Sequence, residues 1–141
     1  MPVQDMNTVL QRLQGLQRLS DLRLEEFAPE GGIADSVAFQ LRHSLKAAQL
    51  RKFYGLCKRV DLELRGRDED SDFPAEFRPR IFRILPLLAY AKGRNNIPEG
   101  FYKFMKSVLD FNKIQKIRDY RTLIYLLEAV VAYHKFHGGK E

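Results

Sequence analysis

Residues 123–136, LIYLLEAVVAYHKF, decide the fold. The apolar residues Leu123, Ile124, Leu126, Leu127, Val130, Val131, Tyr133 and Phe136 run almost all round a helix and show no β-alternation. A helix apolar on nearly every side sits at the centre of a bundle or beneath another subunit. Asp119 is expected as its N-cap, and Gly138 and Gly139 close it.

The rest of the chain repeats the helical period. Pro98 suits the first position of a helix ending near Asn112, after the turn GRNNIP at 93–98. Another helix spans about Arg80 to Gly93 and is interrupted by Pro86. The charged stretch RGRDEDSDFP, 65–74, reads as an exposed loop. A long helix runs from Asp35 or Ser36 to about Leu64, and a first helix from about Asn7 to Phe27, stopped by Pro29, Gly31 and Gly32. The expectation is all-α: one helical domain over 1–141, a bundle of about five helices that could be elongated, a peripheral first helix and a charged loop near 65–75.

With 141 residues and 45% hydrophobic content, the chain can bury a real core. No apolar run approaches the ~18 residues of a membrane span. The N-terminus MPVQDMNTVL lacks the charged and apolar regions of a signal peptide, so a cytoplasmic location and no membrane partner are expected. The single cysteine, Cys57, lies on an apolar stripe and reads as a core residue.

The formal charge of +6 is unevenly placed. No acid falls between Asp35 and Asp61, a window holding Arg42, Lys46, Arg51, Lys52, Lys58 and Arg59. A second window carries Arg80, Arg83, Lys92, Arg94 and Lys103 against Glu99 alone. Clustered bases attract polyanions by counterion release; the competing reading is a solvated basic surface.

Along the long helix the apolar stripe shifts from Val37, Leu41, Leu45 and Ala48 to Leu50, Phe53, Cys57 and Val60. Such a helix packs on two surfaces or bends near Gly55. Arg51, Lys52, Lys58 and Arg59 lie away from the second stripe. On the next helix Arg83, Tyr90 and Arg94 fall within about 40° of each other. Two guanidinium groups flanking a phenol ring suit phosphates and a stacked base, although the ring could equally shield the core edge. The two basic faces are expected to adjoin as one groove, with Lys103 and Lys106 on the solvent side of the following helix.

Catalytic chemistry is missing from the pattern. Asp68, Asp70 and Asp72 open like a calcium loop, but Phe73 and Pro79 replace its glycine and closing glutamate. His134 and His137 have no third ligand at a suitable spacing. Neither GGIADS nor GRNNIPEG has the spacing or the lysine of a phosphate loop. No enzyme, no metal site and no cofactor are expected.

Three stretches together resemble the small subunit of type III-A CRISPR effector complexes, the Csm small-subunit family: QLRKFYGLCKRV from Gln49, LPLLAYAKGR from Leu85, and LIYLLEAVVAYHKF ending at Phe136. Each is a helical pattern; their order and spacing carry the likeness, which is weak over the first helix. The resemblance implies a non-catalytic RNA-binding subunit of an antiviral complex, stacked in several copies along guide RNA and target RNA. Its implied partners are other copies of itself and the backbone and large subunits. It places Arg51, Lys52 and Arg94 at basic motif positions and Tyr90 at the motif tyrosine. Lys46, Lys58, Arg59, Arg83 and Lys92 join the nucleic-acid-binding set from the charge pattern. The rival readings are a protein-interaction adaptor and a helix-turn-helix DNA-binding regulator. Against the latter, no short helix pair with a glycine turn and a polar reading helix is visible.

Overall fold

The computed structural model describes residues 3–141. Among them are eight α-helices: α1 (Met6–Gln14), α2 (Leu24–Phe27), α3 (Ile33–Leu41), α4 (Ala47–Glu63), α5 (Arg78–Phe82), α6 (Ile84–Gly93), α7 (Glu99–Val108) and α8 (Ile117–Phe136). Short 3₁₀ turns lie at Leu19–Asp21 and Ala75–Phe77. The described residues contain no strand, only an isolated antiparallel bridge between Asp72 and Lys116.

The apolar α8 is central. It packs against α3, α4 and the first 3₁₀ turn, burying Leu123, Ile124, Leu126, Leu127 and Val130. The Tyr120 ring is buried with them, and its hydroxyl donates to the Cys57 carbonyl at 2.6 Å. Burial also pushes the Cys57 thiol up to about 12, so it stays protonated and unreactive.

The all-α fold holds, but the expected helices are more divided, and each division has a local cause. The segment expected as one helix over 7–27 ends α1 at Gly15 and then makes the 3₁₀ turn and α2. The buried carboxylate of Asp119 takes bonds from Ser20 N at 3.1 Å and Arg18 Nε at 3.1 Å, holding the chain out of the α-helix there. Val9, Leu10 and Leu13 of α1 are buried in the same cluster as the residues of α8.

The helix expected over 35–64 is two. The stripe shift is met by a break at 42–46, and Gly55 lies inside an unbroken α4. The C-terminal residues fill that break: Lys140 N donates to Arg42 O and Ala47 N to Lys140 O, each at 2.8 Å. Between α5 and α6 the break falls at Arg83. The ring of Pro86 would clash with the carbonyl of residue 82 in a continuous helix, and it has no N–H to offer.

Two caps also differ from expectation. Pro98 is the N-cap of α7 rather than its first residue, and α7 ends at Val108, where an Asp110 side chain turns the chain by accepting from Asn112 N at 3.0 Å. The N-cap of α8 is Lys116, and Asp119 sits at N3, accepting from Lys116 N at 2.8 Å. The 65–75 loop is mostly exposed but anchored. Phe73 N donates to Gln115 O and Ile117 N to Ser71 O, and the Arg118 guanidinium donates to Asp70 at 2.9 Å.

Candidate nucleic-acid interface

Residues seven apart on a helix share a face, and adjacent residues are about 100° apart. On α4 this splits the expected basic face. Arg51 and Lys58 lean toward α8, and Lys52 and Arg59 lean away from it. Arg51 lines a small cavity with Leu50, Val131, His134, Lys135 and Glu141. Lys58, half-buried, reaches Asp61 at 3.2 Å and Glu128 at 3.4 Å. Arg59 instead lines a groove of about 210 Å³ with Arg80 and Arg83, floored by Leu56, Val60, Ile84 and Leu87.

That groove joins part of the two sequence-derived faces. Arg59 from α4 and Arg83 from the α5–α6 joint meet there, and both are exposed. Arg80, the third guanidinium, is paired with Glu63 of α4. Farther along α6, Tyr90 is 61% exposed, and Arg94 Nη1 donates to its hydroxyl at 3.0 Å. The Arg94 guanidinium lies 5.7 Å from the ring centroid. Leu87, 40% exposed, sits between Arg83 and Tyr90 on this face.

Ion pairing sorts the expected residues into two groups. Among the described residues, Lys46, Arg51, Lys52, Arg59, Arg83 and Arg94 have no carboxylate partner within salt-bridge distance. Lys58 is held by acids of its own fold. Lys92 points to the other side of α6, where Glu99 takes it at 3.1 Å. Lys46 is exposed at the N-cap of α4, at the α3–α4 joint.

The sequence reading missed the apolar floor. Leu56 and Leu87 were legible only as helix residues, although Leu87 follows Arg83 by four and precedes Tyr90 by three, a spacing that puts all three on one face. His134 and His137 are both engaged within the fold. His134 Nε2 is 2.7 Å from Leu45 O, and His137 Nε2 is 2.5 Å from Asp35 Oδ1. Asp70 and Asp72 are engaged by Arg118 and Lys116.

Comparison with protein families matches residues 29–140 to the family described as Csm2 Type III-A. The chain belongs to that family. It is therefore a small subunit of a type III-A CRISPR effector, the Csm complex, and a partner of that complex's other subunits. The match to the Csm2 family contains all three stretches from Gln49, Leu85 and Leu123, together with the groove of α4, α5 and α6. It begins after α2, so α1 and α2 lie outside it. Searches of curated proteins and of solved structures found no match. No described helix is long and apolar enough to cross a membrane.

Proposed function

We propose that this Csm2-family chain is the RNA-contacting, non-catalytic small subunit of its complex. Several copies stack along guide RNA and target RNA in the cytoplasm, beside the backbone and large subunits. The observation that carries the reading is the groove where Arg59 and Arg83 stand without carboxylate partners over an apolar floor, continued by Tyr90 and Arg94. Unpaired guanidinium groups on rigid helices are free to bind phosphates, and an exposed ring accepts a base of any identity. Base pairing between guide and target then supplies the sequence specificity that such a surface lacks.

The test is binding of single-stranded RNA to the full chain at two salt concentrations. Weak affinity with little sequence preference and a steep fall with salt is expected. Affinity indifferent to salt excludes the electrostatic grip, and absence of RNA binding favours a protein-interaction adaptor. Divalent metal is expected to produce no RNA cleavage. Cleavage that survives purification and disappears on mutating Asp68, Asp70 and Asp72 overturns the non-catalytic reading.

A further inference from the structure

A cleft of about 640 Å³ lies away from this groove, between α1 and α7. Each helix lends one face to it: Asn7, Leu10, Gln11 and Gln14 from α1, and Lys103, Lys106 and Ser107 from α7, with Asp110 from the turn that follows α7. Lys113 closes one end. Its ammonium is buried and donates to Leu13 O at 2.7 Å, which leaves further N–H donors on the same nitrogen. Burial holds the Lys113 pKa below its ordinary value, with Asp110 opposing.

The charges of this cleft are poorly consumed by the fold. Lys106 has no carboxylate partner among the described residues; its ammonium lies 5.1 Å from the Tyr102 ring centroid. Lys103 has only a long contact to Glu99, 3.8 Å, between exposed groups. Three lysines thus face one carboxylate, Asp110, whose Oδ1 is taken by a backbone N–H. Neutral carboxamides from Asn7, Gln11 and Gln14 surround them.

We infer that the α1–α7 cleft is a phosphate-binding site, built jointly by the segment outside the family match and by α7. A phosphate group offers several acceptor oxygens at one point, which suits ammonium and carboxamide donors converging from two helices. A side-chain carboxylate has only two oxygens to offer the same set of donors, so a poly-carboxylate is the competing ligand. The phosphate comes from a strand of RNA or from a small free phosphate compound. The inference does not rest on the α4–α6 groove.

The test follows side-chain and backbone amide resonances of the full ¹⁵N-labelled chain during separate titrations with pyrophosphate, a short single-stranded RNA and a poly-glutamate peptide. Pyrophosphate is expected to shift the Gln11 and Gln14 side-chain amides saturably. The Lys103→Glu/Lys106→Glu double variant should keep the native spectrum and bind about tenfold more weakly or worse, because two attractions become repulsions. Arg59→Glu/Arg83→Glu should bind pyrophosphate as the parent does, even where it loses RNA. If RNA also moves the cleft amides, the strand is the source; if pyrophosphate alone does, a small phosphate compound is. Shifts that fail to saturate, that persist in the Lys103/Lys106 variant, or that poly-glutamate produces more strongly than pyrophosphate overturn the site.

Discussion

Glu128 of α8 holds Lys58 of α4: Lys58 Nζ lies 3.4 Å from Glu128 Oε2, and the Tyr54 hydroxyl donates to the same oxygen at 3.0 Å. Arg59, the next residue, turns about 100° away into the groove with Arg83. One basic dipeptide therefore divides into a residue that joins helices and a residue without a carboxylate partner.

That division predicts opposite outcomes for neighbouring reversals. Arg59→Glu combined with Arg83→Glu should cost several kcal/mol of RNA affinity, and each phosphate no longer neutralised should flatten the log–log salt slope by about 0.7. The melting temperature should barely move, since exposed charges add little to stability. Lys58→Glu would set a carboxylate against Asp61 and Glu128. It should lower stability by about 1 kcal/mol and leave RNA affinity nearly intact. Filter binding and thermal melts of both variants check this; equal losses of affinity would reduce the groove to diffuse charge.

Tyr90 gives a second contrast. Its ring is exposed and its hydroxyl is used by Arg94. Tyr90→Ala should weaken single-stranded RNA binding by about 1–3 kcal/mol, the worth of a stacked base. Tyr90→Phe should retain most of that, because the ring stays and only the bond from Arg94 is removed. Fluorescence anisotropy with labelled RNA measures both. An Ala variant that binds like the parent would return Tyr90 to the role of a cover on the core edge.

The sequence showed the helical class because apolar residues at three and four leave little room for another reading, most of all in α8. It did not show where helices break. Those breaks depend on partners distant in sequence: Asp119 holding Ser20, and Lys140 bonding to Arg42 and Ala47. The same limit applied to the site. Helical phase put Arg83, Tyr90 and Arg94 on one face and grouped Arg59 with Lys58, but only the fold shows that Glu128 and Glu99 take up Lys58 and Lys92. Arg51 and Arg94 were expected in one groove; Arg51 lines a separate cavity beside His134 and Lys135. Lys103 and Lys106 are exposed as expected, but helical phase did not show that they wall a cleft with α1.

Asp119 predicts an acid-sensitive fold. Burial alone would raise its pKa, but the bonds from Ser20, Lys116 and Arg18 outweigh this and hold it below the ordinary 3.8. A depressed folded pKa contributes stability that is present above the unfolded value and lost as pH falls through the folded value. Stability should therefore drop below about pH 4 as this carboxylate protonates. Asp119→Asn should cost about 3 kcal/mol near neutrality, by loss of charge-assisted bonds, and should remove that part of the acid dependence. Urea melts at neutral and acidic pH give both quantities. An Asn variant whose stability falls with acid as steeply as the parent's would place the sensitivity elsewhere.

The C-terminal turn carries the last prediction. Gly139 N donates to His134 O at 2.8 Å, and a Cβ at Gly139 would overlap the His134 ring. That ring cannot swing aside cheaply, because it is buried with Nε2 at 2.7 Å from Leu45 O. Gly139→Ala should therefore displace residues 138–140 and release the Lys140 bonds to Arg42 and Ala47. The cost should be about 1–3 kcal/mol, the usual range for forced overpacking. Gly138→Ala tests the alternative cause, backbone strain, because Gly138 has φ 67° with open space around its Cβ. Hydrogen exchange separates the two. In Gly139→Ala the amides of Ala47 and Lys140 should lose protection while those of α8 before His134 keep it. Protection unchanged at Ala47 would mean that the α3–α4 joint holds without the tail.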